Sequence, residues 1–155
     1  MSNCNKCDST CMPVYITSYH KIYFMEQQTK NKEFIINYLT AISNGTAKTR
    51  EILAKYMTDE SLISHIEFFE AAFPKYEVYI DEMTAESNRV IVQARVKGTH
   101  LGDMGGIPPT FKQVDFPFVI KYEIENNMIV NHWMLADQMA LMEQLGVVAA
   151  AAAAH

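Results

Sequence analysis

From Lys30 to Ser43 apolar residues recur at helical spacing. Phe34, Ile35, Tyr38, Leu39 and Ile42 form one stripe, and Asn44-Gly45 supplies a C-terminal stop. The pattern predicts a helix there. A second is predicted over Thr49–Met57, with Ile52, Leu53, Tyr56 and Met57 on one face. A third begins after Thr58. Asp59 and Glu60 suit the positive end of its dipole, Leu62, Ile63, Ile66, Phe69 and Phe73 make its apolar side, and Pro74 closes it.

The period then drops to two. Tyr76–Thr84 alternates as a strand. Arg89–Leu101 alternates more clearly, with Val90, Val92, Ala94 and Val96 facing one way and Arg89, Gln93, Arg95 and Lys97 the other. Gln113–Ile124 follows, placing Val114, Phe116, Phe118, Ile120, Tyr122 and Ile124 together. Glu125-Asn126-Asn127 reads as a tight turn, because Asn tolerates positive φ. Met128–Asp137 is the last predicted strand and Met139–Leu145 a closing helical turn. Helices followed by a run of antiparallel strands define an α+β fold, with the helices on one face of a curved sheet. Bent around a long helix, such a sheet makes a cone with an interior cavity.

Both ends break the pattern. Residues 1–28 show no sustained periodicity, and Ala149–Ala154 with His155 resemble an added tail, so one folded domain is expected over 29–148. Composition mainly removes possibilities. A hydrophobic fraction of 49% and a charged fraction of 20% fit a soluble globular chain. No apolar run reaches the length of a bilayer span, so no membrane partner is expected. The net charge of −5 and the absence of a basic stripe argue against nucleic acid.

Cys4, Cys7 and Cys11 leave the body of the chain without cysteine, as in reduced cytoplasmic proteins. No fourth ligand follows them at a regular interval, so no metal site is expected. The N-terminus lacks the leader, apolar stretch and cleavage site of a secretory signal.

Candidate chemistry gathers late in the chain. Alternation sets Trp133, Leu135 and Asp137 on one face of the last strand, with His132, Met134 and Ala136 on the other. A carboxylate among apolar neighbours has its pKa raised and suits acid–base work near neutral pH. An Asp just before a helical turn also suits capping, and one residue can do both. His100 shares parity with Val90–Val96, where it can relay a proton or simply be satisfied by loop backbone. His65 lies beside Ile66 and just before Phe68 and Phe69. It can line a pocket or be a half-buried structural histidine. His132, facing away from Asp137, is assigned to a subunit contact. Gly102, Gly105, Gly106, Pro108 and Pro109 form a loop that matches no nucleotide motif. It is either a rigid turn or a lid with Met104 and Ile107 as apolar contacts.

With these residues in view, the chain from about Asn31 to Val147 resembles the SnoaL-like polyketide cyclases of the nuclear transport factor 2-like superfamily. The resemblance rests on GTHLG…GIPPT (98–110), FEAAFP (69–74), IVNHW (129–133) with Asp137 four positions on, and QLG (144–146). It implies the cone fold, dimerisation through the sheet's outer face, and an Asp acting as acid/base in an intramolecular aldol closure of a polyketide ester. The matching Asp is Asp137, with His100 assisting. Tyr38, His65, Phe69, Met104, Ile107, Phe118 and Trp133 are expected around a small hydrophobic ligand. The resemblance implies no metal and no cofactor.

The chain departs from the family at Lys75, where Asp is usual, and at Phe111, where Gly is usual and a bulky ring would narrow the cavity. Asn126-Asn127 replaces Asp-Gly, and Glu123 replaces an arginine. The expected function is a cofactor-independent cyclase, isomerase or hydrolase. Its rivals are a non-catalytic module binding a small ligand, and an interaction protein with a filled interior.

Overall fold

The computed structural model describes residues 14–148, with side chains from Tyr19 onward. Cys4, Cys7, Cys11 and the alanine tail therefore lie outside the described residues. Three helices, α1 (Val14–Ile42), α2 (Arg50–Leu53) and α3 (Glu60–Ala72), precede four strands. These are β1 (Glu77–Glu86), β2 (Arg89–Thr99), β3 (Gln113–Glu125) and β4 (Met128–Ala136), and α4 (Gln138–Leu145) closes the chain. The strands form one antiparallel sheet in the order β1-β2-β3-β4. This is the expected α+β architecture, with helices packed on a curved sheet.

Helix α1 begins well before the predicted Lys30 and runs through the expected domain boundary. From Tyr19 to Lys30 it buries no face: Tyr19, Tyr23, Phe24 and Met25 are all exposed. Periodicity records burial, so an overhanging stretch of helix leaves none to read. From Asn31 onward the helix packs, burying Ile35, Tyr38, Leu39 and Ile42. Helix α2 is shorter than predicted. Thr49 caps it, but Tyr56 and Met57 leave the helix to run beside β4. There the Ile129 amide donates to the Tyr56 carbonyl at 2.8 Å, and the Thr58 amide donates to the Ile129 carbonyl at 2.9 Å.

The middle strands follow their alternation. β2 and β3 pair without a break from Arg89 opposite Glu123 to Thr99 opposite Gln113. Val90, Val92, Ala94 and Val96 are buried against Val114, Phe116, Phe118, Ile120, Tyr122 and Ile124. Two irregularities curve the sheet: one in β1 between Ile80 and Glu82, one between Glu123 and Ile124 beside the β3–β4 hairpin. That hairpin turns on Asn126 and Asn127, both at positive φ (50° and 57°), the backbone that matches strand twist. At the far end Gly146, left-handed at φ 76°, closes α4. Gln144 fixes this helix to the sheet, accepting from the Asp115 amide at 2.6 Å and donating to its carbonyl at 2.9 Å. The QLG motif is thus a helix anchor followed by a helix stop.

Among the described residues, no helix is long and apolar enough to cross a membrane.

Candidate active site

The concave face of the sheet does not close on the helices. Between them lies a cavity of about 720 Å³. Helix α1 contributes Tyr38, Leu39 and Ile42; α3 contributes Leu62, His65, Ile66, Phe68 and Phe69. The sheet adds Val96, Phe116, Phe118, Ile120, Tyr122 and Met134, and α4 adds Leu141 and Met142. A filled interior is thereby excluded.

The polar side chains on this wall are few: His65, the phenols of Tyr38, Tyr76 and Tyr122, and Gln138. No carboxylate lines it. The three phenols are buried, and desolvation raises the pKa of each above the usual tyrosine range. Tyr38 and Tyr122 meet edge to face at 6.0 Å between centroids. All three stay protonated near neutral pH, and the hydroxyls of Tyr38 and Tyr122 share a hydrogen bond that already engages one of their two protons.

His65 differs. It keeps an accessible surface and lines the cavity beside exposed Phe68. Its pKa is lowered from 6.5, first by desolvation and then by the charge of His132. An imidazole and protonated phenols thus line the same cavity.

Lys48 supports the wall from behind. Its buried ammonium contacts Glu70 at 3.3 Å, donates to the Tyr76 carbonyl, and sits 3.8 Å from the centroid of the Tyr76 ring. Desolvation lowers its pKa and Glu70 raises it part of the way back. No local sequence pattern marks Lys48.

The Gly-rich loop forms part of the cavity wall through Met104, Gly105 and Ile107. It is tied to the end of α3, where the Leu101 and Gly102 amides both donate to the Ala72 carbonyl at 3.0 Å. His100 holds its base. The His100 amide donates to the Lys112 carbonyl at 2.9 Å, and its Nδ1 accepts from the Thr110 amide at 3.2 Å.

Several expected site residues stand elsewhere. His100 is fully buried outside the cavity, stacked on Phe73 at 5.0 Å, with Nε2 unpartnered. Accepting from an amide puts the ring proton on Nε2, so this histidine is a loop anchor out of reach of the cavity. Trp133 is 55% exposed on the outer face of the sheet and does not line the cavity. Asp137 is exposed, and its Oδ1 accepts from the Ala140 amide at 2.9 Å as the N-cap of α4. It sits between Ala136 and Gln138, which do line the cavity, but lacks the apolar surroundings expected for it. Phe111 points to solvent, 72% exposed, and narrows nothing. Its φ of 59° explains why glycine suits that position.

Tyr38, His65, Phe69, Met104, Ile107 and Phe118 all line the cavity. The error on β4 was one of face. Trp133 and Leu135 do share a side, but it is the outer one, with Leu135 also reaching the rim of the cavity. Register gives the reason: Ala136, Met134 and His132 lie opposite Phe118, Ile120 and Tyr122, the buried positions of β3. Reading β4 against β3, rather than alone, would have placed them. His132 accordingly lies inside, with Nδ1 2.6 Å from Oδ2 of Asp59.

The comparisons agree with this architecture. The SnoaL-like polyketide cyclase family model matches residues 55–145, more than half of the chain. The chain belongs to the SnoaL-like polyketide cyclase family. Among solved structures it is similar to AclR of Streptomyces galilaeus, named as a candidate hydroxylase. That match has a TM-score of 0.70 at 20% identity, covering 81% of this chain and 87% of that one. A candidate SnoaL-like polyketide cyclase of Jannaschia sp. CCS1 matches at TM-score 0.68 and 23% identity, over 78% and 94% of the two chains. IdmH of Streptomyces antibioticus, named as a candidate polyketide cyclase, matches at 0.62 and 19%, over 75% and 98%. At these identities the likeness speaks for the fold. No curated protein matches the sequence.

Proposed function

We propose that this protein binds a small hydrophobic carbonyl compound in its cavity and closes a ring in it by an intramolecular aldol reaction, as a polyketide or ester cyclase. The observation that carries this reading is a largely apolar cavity wall that carries both His65, an accessible imidazole, and three buried tyrosines. Neutral His65 takes a proton from the carbon next to a carbonyl. The enolate oxygen is stabilised by hydrogen bonding to a tyrosine hydroxyl on a largely apolar wall. The enolate carbon attacks a second carbonyl of the same molecule, and the new alkoxide recovers the proton from His65. The step is redox-neutral and calls for no cofactor. Apolar walls fold the substrate toward its reactive shape. The cytoplasm suits such a chain, given a domain body free of cysteine.

Exchange in heavy water tests the first half of this chemistry. A panel of hydrophobic 1,3-dicarbonyl compounds should gain deuterium at the carbon between the carbonyls faster with protein than in buffer, read by mass spectrometry. The base must be unprotonated, and its pKa is lowered below 6.5, so the exchange rate should hold its plateau to below pH 6.5 before falling with acid. Compounds that bind without any exchange would favour the rival reading, a binding module. The absence of a carboxylate from the cavity wall speaks for that rival.

A homodimer through the sheet's outer face belongs to the same reading. Ile91 and Trp133 stand on either side of Lys121 across the sheet, and both are about half exposed, as is Leu135. A charge placed among them should prevent association. Trp133→Glu is expected to turn a dimer into a monomer in light scattering, and a monomeric parent protein would defeat the idea.

A further inference from the structure

Tyr76 directly precedes β1 and is buried on the cavity wall. Its ring is held from several directions. The Lys48 ammonium lies over its face, 3.8 Å from the centroid, and Phe69 meets it edge to face at 4.9 Å. Lys48 is itself buried and paired with Glu70, whose Oε1 accepts from the amide of Lys75, the residue before Tyr76, at 2.8 Å. β2 also passes so close that a Cβ added to Gly98 would lie 3.1 Å from the Cβ of Tyr76. A cation on the face, an aromatic partner and a nearby backbone leave this ring little freedom.

The hydroxyl on this fixed ring is free. Among the described residues no hydrogen bond engages it, whereas the hydroxyls of Tyr38 and Tyr122 bond each other. Of the described side-chain polar atoms, His100 Nε2 alone is both enclosed and unpartnered. The Tyr76 oxygen, equally unpartnered, therefore keeps accessible surface, and the space that its side chain borders is the cavity. Burial holds this phenol protonated, well above the usual tyrosine range. His65 and Gln138, also on the wall, are exposed, and water meets their needs. A buried hydroxyl without a partner is unfavourable, so a ligand that brings an acceptor to it gains a bond for which no protein group competes.

We infer that Tyr76 is the ligand anchor of the cavity, donating its hydroxyl proton to a carbonyl oxygen of a neutral, otherwise hydrophobic compound. This rests on the proposed use of the cavity as the ligand site, and it assigns the oxygen to one of the three phenols. No Lys or Arg side chain lines the wall, so a carboxylate would meet no fixed counter-charge there. A ketone or ester carbonyl asks only for a donor, and Tyr76 supplies it. Because the ring is held in place, one bonded carbonyl also sets how the rest of the molecule lies along the apolar wall. A hydrocarbon of the same shape would fill the space without that bond.

The test pairs methyl naphthyl ketone with ethylnaphthalene, in which a methylene replaces the carbonyl. Both are bound to the parent protein and to Tyr76→Phe by equilibrium dialysis. The ketone should bind the variant about fivefold more weakly, while ethylnaphthalene stays within about twofold. The infrared carbonyl stretch of the bound ketone should also move to higher wavenumber in the variant, which a change in packing alone would not produce. Phenylalanine keeps the ring against Lys48 and removes no internal bond, so the melting temperature should hold. Equal weakening of both compounds, or an unmoved stretch, overturns the inference. So does a stretch that moves in Tyr38→Phe or Tyr122→Phe and not in Tyr76→Phe. A parent protein that binds neither compound overturns the anchor together with the ligand site on which it rests. A ketone-specific loss in a protein that exchanges no hydrogen would instead keep the anchor and remove the aldol chemistry.

Discussion

His65→Gln should cost about 10²- to 10⁴-fold in turnover, the usual worth of a positioned general base. Glutamine fills similar space and can still hydrogen-bond, but it cannot accept a proton near neutral pH. His65 keeps an accessible surface, so the substitution should leave the fold within about 0.5 kcal/mol of the parent. Ligand binding, governed by apolar walls that do not change, should survive. Asp137→Asn is the decisive companion. Asparagine caps a helix about as well as aspartate, so a purely capping Asp137 predicts nearly full activity in that variant. Initial rates of both variants, measured side by side, separate the two candidates. Loss in Asp137→Asn with retention in His65→Gln would move the base to Asp137.

Gly102→Ala should be the most damaging of the small substitutions. A Cβ at this position would lie 2.0 Å from the Ala71 carbonyl oxygen and 3.0 Å from its carbon. These are backbone atoms of α3 and cannot swing aside like the end of a side chain. The loop would have to lift, breaking the paired amide contacts with the Ala72 carbonyl. A loss of about 3 kcal/mol or more is expected, which corresponds to roughly 10 °C in Tm. Thermal unfolding followed by circular dichroism measures it. A shift under 2 °C would mean the loop does not press on the helix as described. Because Met104 and Ile107 ride on this loop, any folded fraction should also bind cavity ligands less tightly.

The contrast between β3 and β4 shows what the sequence could disclose. Every second residue of β3 from Val114 to Ile124 is apolar, and every one is buried, so one strand sufficed to fix its own orientation. On β4 each face carries both polar and apolar residues: Asn131, Trp133 and Leu135 outside, His132, Met134 and Ala136 inside. Alternation there names the partners on a face but not the direction of the face. The same limit governed the helices. Packing imprinted a stripe on α1 from Asn31 onward and none on the stretch from Tyr19 to Lys30. Cavity residues such as Tyr38 and Phe118 were legible because they belong to that imprint. The Asp59–His132 and Lys48–Glu70 contacts were not, since each joins positions far apart with no local trace.

The chain has a single tryptophan, Trp133, and it lies on the outer face of the sheet. Its fluorescence therefore watches the surface opposite the cavity. A second molecule settling on that face would draw the indole out of water and shift its emission to the blue, whereas a ligand filling the cavity would leave the colour unchanged. The three tyrosines on the inner wall report the other event. The protein thus carries two native optical probes, one for association and one for uptake, separated by the thickness of its own sheet.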